Sequence, residues 1–241
     1  MKKTLFLAGA GGAIGRRLAP TLLAEGWRVV GTTRSADKAG ALRQLGYEPV
    51  VVDVFDAEAL RGAVAEARPE AVMHQLTDLP HALEASQMEA ALARNARLRD
   101  EGTRNLVAAA LAAGARRLVA QSISFVYAEG PLPHREEDPL LPDDHPAYGE
   151  TCRALRSLER QVTGAPLTGV VLRYGLFYGP GTGFDAPIGP GSVHVDAAAR
   201  AAVLALTRGR PGIYNVAEAD PSLSCEKAIR EFGWDAGWRP A

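Results

Sequence analysis

Cysteine and lysine are both scarce in this chain of 241 residues, and each scarcity carries information. The two cysteines, Cys152 and Cys225, are too few for a disulfide framework, so we expect a reduced protein in the cytoplasm. A formal net charge of −1 gives no large field that would favour nucleic acid or a membrane surface. No apolar run approaches the ~20 residues that a membrane-spanning helix needs. We therefore expect a small-molecule ligand and neither nucleic acid nor membrane as a partner.

Short apolar runs alternate with helical patterns from the start of the chain. The runs are TLFLAGA (4–10), WRVVGTT (27–33), PVVVDV (49–54), AVMHQLT (71–77) and RRLVAQSI (116–123), and the longest helical pattern between them covers 82–113. Such runs are too continuously apolar for strands with one wet face and are typical of parallel strands covered on both faces. Strands that alternate with helices predict an α/β fold with a doubly wound parallel sheet.

Several helix ends and the domain division can be predicted in the same way. Ser35 and Asp56 stand where helix N-caps belong, and Gly114 stands where a helix would stop. After Glu129 the chain becomes rich in proline and acidic residues, which indicates a long loop. Later helices are expected at 149–162, from about 196, and at 224–232. The expected division is a dinucleotide-binding domain at 1–180 and a small C-terminal lobe at 181–241, intermixed with the first or forming one domain with it.

A glycine motif follows the first predicted strand. Residues 9–15 read GAGGAIG, with Gly9, Gly12 and Gly15 spaced by three, and Ala13 and Ile14 open the helix. Alone, this spacing can mark nothing more than a tight turn. Between a strand and a helix it indicates dinucleotide binding, because glycines admit a pyrophosphate to the backbone and the helix N-terminus offers free N–H groups.

The end of the second predicted strand bears on the choice of dinucleotide. Proteins that select NAD place an acidic residue about 20 residues after the glycines, where it binds the ribose 2′-hydroxyl. This chain has Arg34 there, and a guanidinium can bind a 2′-phosphate through two hydrogen bonds. NADP is therefore expected, with NAD the less favoured cofactor. The alternative is that Arg34 is a solvated surface residue.

Several motifs together resemble the extended branch of the short-chain dehydrogenases/reductases, the NAD(P)-dependent epimerase/dehydratase group. They include GAGGAIG, VVDV, HQLT, NARLRDEGTRNLVAAALAAG, VAQSISFVY, AYGETC, VVLRYGLFYGPG, SVHVDAAARA and EKAIREFGW, and their order covers almost the whole chain. The resemblance implies a Rossmann-type core. It further implies that Asp53 and Val54 lie near the adenine, and that Gln75, Leu76 and Thr77 pass the cofactor ribose.

The same resemblance implies a catalytic serine after the fifth strand and a catalytic tyrosine on the next helix. Tyr148, in AYGETC, matches the tyrosine. Ser122 and Ser124 both lie near the serine position, although the residue in the usual place is Ile123, so either serine could act. The family lysine four residues after the tyrosine is replaced by Cys152.

The missing lysine favours one direction of reaction. A free phenol titrates near pH ~10 and needs a cation beside it to act as a base at neutral pH. The four lysines, Lys2, Lys3, Lys38 and Lys227, are all expected to lie far from Tyr148, which leaves Arg173 as the nearby cation. Carbonyl reduction, which uses the protonated phenol, would lose less rate without the lysine than oxidation or epimerisation would.

The sequence thus supports an atypical NADP(H)-binding oxidoreductase, or an epimerase/dehydratase-like protein, acting on a small carbonyl compound or a sugar nucleotide. The alternative is a regulatory protein that senses NADP without turnover. No metal site is expected, because the acidic and histidine residues of 134–145 read as a solvated loop. His194 and Asp196 are expected to be structural. Helices 82–113 and 149–162 resemble a pair that forms homodimers, with simple core burial as the alternative.

Two segments are shorter than the resemblance leads us to expect. They lie between Gly181 and Ser192 and between Ala219 and Ser224, where family members carry much of the substrate lobe. Either the lobe is minimal or segments are missing from the sequence.

Overall fold

A single parallel sheet forms the centre of the protein. The computed structural model describes residues 3–80 and 83–240. The sheet has seven strands in the order β3-β2-β1-β4-β5-β6-β9. They are β1 (Thr4–Ala8), β2 (Arg28–Thr33), β3 (Glu48–Val51), β4 (Ala71–His74), β5 (Arg117–Ile123), β6 (Thr168–Tyr174) and β9 (Gly212–Val216). The prediction of a doubly wound parallel sheet is confirmed.

The strand order reverses at β1, which pairs in parallel with β2 on one side and with β4 on the other. Leu5 lies opposite Val29 in one pair and opposite Ala71 in the other. Connections leave β1 and β4 in opposite directions, so a crevice opens at the carboxyl ends of these strands. Open α/β sheets bind their ligands in this crevice.

Helices cover both faces of the sheet. They are α1 (Ala13–Ala24), α2 (Ala39–Gln44), α3 (Ala57–Ala67), α4 (Met88–Arg97), α5 (Thr103–Ala112), α6 (Gly149–Thr163), α7 (Val195–Ala205) and α8 (Glu226–Phe232). Helices α1 and α7 pack on one face, and α3, α5 and α6 pack on the other. Buried leucine, valine and alanine side chains of the strands divide into the two corresponding cores.

The positions of the three predicted helix ends are confirmed, although they differ in how the side chains take part. Asp56 caps α3, since its carboxylate accepts a hydrogen bond from the Ala59 N–H at 3.0 Å. Gly114, with φ of +73°, ends α5 in the left-handed conformation. Ser35 stands at the N-cap position of a 3-10 turn (Ala36–Lys38), as predicted, but its side chain makes no capping hydrogen bond. Thr33 instead accepts from the Ser35 N–H at 3.2 Å and stabilises that turn.

The long helix predicted at 82–113 is divided. A short 3-10 turn (Ala85–Gln87) precedes α4, and a π-helical turn (Leu98–Gly102) separates α4 from α5. The predicted start at residue 82 lies outside the described residues. A π turn inserts one residue into the helical repeat and rotates the following side chains around the axis. The side chains after Leu98 therefore point in directions that differ from those of one uninterrupted helix.

The chain after residue 180 is built into the core. Strand β9 pairs with β6 at the sheet edge, and the Trp234 indole N–H donates to the Ala197 carbonyl on α7 at 2.8 Å. A second sheet has two short parallel strands, β7 (Leu176–Tyr178) and β8 (Ser192–His194). The two-part division of the chain stays a prediction.

Two predictions concern the outer surface of the protein: a homodimer contact and the lack of a membrane-spanning helix. Helices α4 and α6 pack against each other within the chain, and the Ser157 hydroxyl of α6 bonds to the Asp100 carboxylate at 2.5 Å. Their use in a homodimer remains a prediction. None of the helices in the described ranges has both the length and the apolarity needed to cross a membrane.

Candidate active site

Gly9 and Gly15 are required by the close packing of the first turn. Gly9 has φ of +92°, and a Cβ there would lie 2.5 Å from the Gln75 carbonyl oxygen. A Cβ on Gly15 would lie 2.3 Å from the Gly9 carbonyl oxygen. The turn is thus held against both β4 and α1 with no space for side chains.

Gly12 differs from these two glycines. Its φ of −75° is open to any residue, and a Cβ there would meet only the Gly9 carbonyl oxygen, at 3.4 Å. Gly12 is the N-cap of α1 and offers no side chain to the free N–H groups of the first turn. The N–H groups of Ala13 and Ile14 belong to the first turn of α1, where no carbonyl within the helix can accept from them. Such a helix N-terminus fits the pyrophosphate of a dinucleotide.

A cleft beside the glycine turn contains most of the residues predicted for the adenosine half of the cofactor. It is lined by Ala8, Thr32, Thr33, Arg34, Val52, Asp53, Val54, Phe55, Leu60, Leu76, Thr77, Asp78 and Leu98. Five of the predicted residues therefore meet in one place: Arg34, Asp53, Val54, Leu76 and Thr77. They come from the carboxyl ends of β2, β3 and β4, which the sheet order brings together.

Arg34 stands at the edge of this cleft with its charge available. Its side chain is 62% exposed, and its guanidinium lies 3.8 Å from the Asp78 carboxylate. Arg94 lies closer to the same carboxylate, at 3.3 Å. Two cations share one anion, so the local charge is positive. An exposed guanidinium with one distant partner can bind a 2′-phosphate without breaking a strong ion pair.

Gln75, also predicted for the cofactor, is placed differently. Its side chain is buried, and neither its amide nitrogen nor its amide oxygen has a hydrogen-bond partner among the described residues. The buried Tyr174 hydroxyl lies near the Gln75 amide, which opposes the rise in the Tyr174 pKa that burial causes, although the two groups form no well-aligned hydrogen bond. The Asn95 amide nitrogen also lacks a partner among the described residues. Buried polar atoms without partners are costly, so they mark a place where a further polar group would stabilise the protein. Gln75 does not line the adenosine cleft.

The two candidate serines have separate environments. Ser122 is completely buried and donates its hydroxyl hydrogen to the Glu159 carboxylate at 2.8 Å. Its hydroxyl is hydrogen-bonded inside the protein, and Ser122 lines neither of the two clefts. Ser124, just beyond the end of β5, lines a second cleft. Ser124 is itself only 5% exposed, but it lines this cleft whereas Ser122 does not.

Arg173 is engaged in the interior and does not replace the missing lysine. Its guanidinium donates to both Glu159 oxygens, at 2.8 and 2.7 Å, and to the Tyr127 hydroxyl oxygen at 2.8 Å. It also donates to the Glu136 carbonyl oxygen at 3.2 Å. Burial raises the pKa of Tyr127 to about 12, with Arg173 opposing that shift. These contacts engage all three nitrogens of the Arg173 guanidinium inside the protein.

Tyr148 and Cys152 are exposed to very different degrees. Tyr148 is the N-cap of α6 and is 37% exposed, with its ring 5.9 Å from that of His145. Cys152, one turn later, is completely buried, and burial raises the pKa of its thiol. The nearby Arg153 and Arg156 are both paired with Asp143. Neither of these two cations is therefore free to serve Tyr148.

Arg99 is a buried cation that sequence reasoning missed. It lies in the π turn, is 7% exposed, and carries a charge close enough to interact with Cys152, Glu159 and His74. Burial lowers its pKa to about 10, which leaves it charged at neutral pH. The available signal was an arginine between the buried Leu98 and Gly102, but the π turn that directs it toward α6 has no sequence signature.

The loop that was expected to be solvated is instead anchored. The Glu136 carboxylate accepts from the Asn215 N–H at 2.8 Å, and burial raises the pKa of this carboxyl. His134 pairs with Asp138 at 3.3 Å, and Asp143 pairs with the arginines of α6. No group of three potential metal ligands occurs within residues 3–80 and 83–240.

His194 and Asp196 organise the start of α7. The His194 ring nitrogen accepts from the Asp196 N–H at 3.2 Å, and the Asp196 carboxylate lies 3.5 Å from Arg17 of α1. These contacts join β8, α7 and α1, in agreement with a structural role.

A parallel sheet with a glycine turn, free helix N–H groups and a cleft at the carboxyl ends of β2, β3 and β4 defines a dinucleotide-binding protein of the Rossmann class. A family model described as the NAD-dependent epimerase/dehydratase family matches residues 5–189. The chain belongs to this family.

Two curated relatives have reductase names. A 3-diazoavenalumate denitrifying reductase from a Streptomyces species is 42% identical, over 92% of this chain and 78% of that protein. A dTDP-4-dehydrorhamnose reductase from Streptomyces griseus is 33% identical, over 73% of this chain and 50% of that protein. The chain thus spans most of the first relative and about half of the second.

Solved structures share the fold at low sequence identity. The UDP-glucose 4-epimerase of Thermotoga maritima, solved with UDP-glucose, superposes with a TM-score of 0.76 at 20% identity, over 97% of this chain and 94% of that one. The Thermus thermophilus UDP-glucose 4-epimerase, solved with NAD, gives a TM-score of 0.73 at 23% identity, with the same coverage of both chains. These similarities support the architecture.

Proposed function

We propose that the protein is an NADP(H)-dependent reductase that acts on a small electrophilic substrate. The observation that carries the proposal is the exposed Tyr148, whose nearest arginines on α6 are both paired with Asp143. A protonated phenol can donate a proton without a cation beside it, whereas a phenol that must act as a base cannot do so at neutral pH. The site is therefore better suited to reduction than to oxidation or epimerisation.

Each residue of the proposed site then has a defined role. The N–H groups behind Gly12 hold the pyrophosphate, Arg34 binds the 2′-phosphate, and Asp53 contacts the adenosine. Bound NADPH would supply the hydride. Ser124 donates a hydrogen bond to the substrate oxygen, and Tyr148 gives its proton to that oxygen as the carbon is reduced. The exposed guanidinium of Arg34 supports the preference for NADP over NAD.

A diazo substrate is a second candidate, favoured by the cysteine at position 152. When a hydride replaces dinitrogen on an arenediazonium carbon, the C–N bond breaks with its electron pair on nitrogen and a C–H bond forms. That exchange needs no proton donor, so it would tolerate the loss of the lysine entirely. The name of the 42% identical relative, a denitrifying reductase of a diazo compound, supports this class.

A panel of substrates with a Tyr148→Phe variant separates these possibilities. NADPH consumption would be followed with aromatic aldehydes, ketones, a 4-keto sugar nucleotide and an arenediazonium salt. Carbonyl reduction should fall by about 10²–10⁴-fold in Tyr148→Phe, since the proton donor is lost. Diazonium reduction should be unchanged. Tight NADPH binding with no turnover on any class would favour the alternative, a sensor of NADP.

A further inference from the structure

A second cleft lies at the carboxyl end of β5, apart from the adenosine cleft. It encloses ≈ 280 Å³ and is lined by Ser124, Phe125, Tyr127, Leu132, His134, Pro190, Gly191, Ser222 and Leu223. The walls come from the end of β5, the proline-rich loop, the segment before β8 and the short segment before α8. Since Ser124 lies in the wall, a ligand in this cleft would contact the serine proposed to act on substrate.

The lining combines aromatic and aliphatic side chains with Ser124, Ser222 and His134, and it contains no lysine, arginine, aspartate or glutamate. A sugar nucleotide presents a diphosphate, which proteins bind with arginine, lysine or helix N-termini. The lining of this cleft therefore offers neither arginine nor lysine to a diphosphate.

One polar side chain in the wall is held in a fixed orientation. The His134 Nδ1 lies 3.3 Å from an Asp138 carboxylate oxygen, and its ring stacks on Tyr127 with centroids 5.0 Å apart and an angle of 12°. The backbone of His134 is tied on both sides, to the Ser222 carbonyl and the Ser224 N–H, each at 2.9 Å. In the imidazolium form both ring nitrogens carry a hydrogen, so Nδ1–H donates to Asp138 and Nε2–H is left to donate to a ligand oxygen.

Asp138 is itself held in place by the loop. Its carboxylate accepts from the Arg135 N–H at 2.9 Å, and this bond together with His134 lowers the pKa of the carboxyl. The aspartate therefore stays ionised and fixes the histidine ring. An oriented ring beside Phe125 and Tyr127 can combine a polar contact with stacking on a planar ligand.

We propose that this cleft binds a small aromatic compound bearing a carboxylate or carbonyl oxygen, which His134 contacts, and that it does not bind sugar nucleotides. Use of the cleft in catalysis rests on the proposed reductase function, whereas ligand binding does not. The assignment makes His134 a specificity-determining residue and Asp138 a positioning residue.

Calorimetric titration of the full chain, saturated with NADP, tests the assignment. The probes are 4-hydroxycinnamate and UDP-glucose. We expect 4-hydroxycinnamate to bind and UDP-glucose to bind at least about tenfold more weakly. His134→Gln should weaken 4-hydroxycinnamate by about tenfold, the effect of one charge-assisted hydrogen bond. Asp138→Asn should weaken it by a smaller factor, because the ring loses its orientation.

A matched control and a surface variant keep the result interpretable. Glu137→Gln changes an exposed carboxylate of the same loop that does not line the cleft, and should leave binding within about twofold. Leu132→Glu places a negative charge on an exposed rim residue, so folding should be unaffected while the carboxylate probe is repelled. UDP-glucose binding as tightly as 4-hydroxycinnamate, no binding of 4-hydroxycinnamate, or equal affinities in all four variants would each overturn the assignment. Binding without NADPH turnover would sink only the reductase proposal.

Discussion

Arg173 and Glu159 form a buried ion pair with two parallel hydrogen bonds, Nε to Oε1 at 2.8 Å and Nη2 to Oε2 at 2.7 Å. Both side chains are nearly inaccessible to solvent. The pair joins β6 to α6 beneath the active site, and Ser122 adds a third contact to the same carboxylate. The cation that the sequence offered as a substitute for lysine is therefore part of the interior structure.

Removing one partner of this pair should destabilise the protein strongly. Arg173→Met leaves the Glu159 carboxylate buried without its cation, which costs about 3–5 kcal/mol in comparable cases. Urea unfolding measures the loss. Arg116→Met is the control, because the ion pair of Arg116 with Glu70, at 3.3 Å, is exposed and such pairs contribute about 0–1 kcal/mol. Equal losses in the two variants would contradict the assigned role of burial.

His74 should make stability depend on pH in acid. Burial, aided by the Arg99 charge, lowers its pKa from 6.5 to about 4. As pH falls from 6.5 toward 4, the unfolded chain gains a proton that the folded protein does not, so stability decreases over that window. The two pKa values correspond to roughly 3 kcal/mol. His74→Gln should flatten the curve of unfolding free energy against pH between these values, and an unchanged slope would disprove the assignment.

Arg34→Ala should weaken the binding of NADPH and leave the binding of NADH nearly unchanged. The guanidinium would lose hydrogen bonds to a 2′-phosphate, each contributing about 1.5–3 kcal/mol, while NADH has no such group. Fluorescence titration with both cofactors measures the difference. Arg43→Ala, an exposed arginine on α2, is the matched control. Equal losses of affinity for the two cofactors would show that Arg34 does not select between them.

Gly12→Val should abolish dinucleotide binding without unfolding the protein. The added Cβ meets only the Gly9 carbonyl oxygen, at 3.4 Å, and the backbone is open to valine, yet the side chain enters the space proposed for the pyrophosphate. Calorimetry with NADPH gives the affinity, and circular dichroism checks folding. Gly11→Ala, where a Cβ meets nothing within 4 Å, serves as the control. Retained affinity in Gly12→Val would place the cofactor elsewhere.

Cys152→Lys should place a cation beside Tyr148 in a stable protein only when a second residue is also changed. The new ammonium would be buried beside Arg99, so the single variant should lose stability through repulsion between like charges. Cys152→Lys with Arg99→Met should recover it. In the double variant, the lysine one turn from Tyr148 favours the phenolate, so the basic limb of any alcohol oxidation should move to lower pH.

The comparison of the single and double variants shows whether the lost stability comes from charge repulsion or from the larger side chain. Recovery of unfolding free energy only in the double variant supports a buried charge conflict between positions 99 and 152. If the single variant is already as stable as the parent protein, Arg99 does not lie close enough to matter. A double variant without a shifted pH limb would mean that Tyr148 is not the acid–base group.

Local sequence patterns were sufficient wherever neighbours along the chain define the structure. Continuous apolar runs identify the strands because both faces of a parallel sheet are buried. The glycine turn was predictable since a strand, a turn and a helix follow one another within residues 4–24. Asp56 was predictable as a cap because it bonds three residues ahead.

Only the tertiary structure decided which of those side chains reach a ligand. Ser122 and Ser124 are two residues apart, yet their surroundings differ. Ser122 is hydrogen-bonded to Glu159 of α6, whereas Ser124 lines the second cleft. Arg99 reaches α6 through a π turn that no residue pattern announces. His134 lies beside Ser222, which is distant along the chain, through backbone pairing across two loops. Periodicity within one element carries no information about such contacts, because they depend on how separate segments pack together in three dimensions.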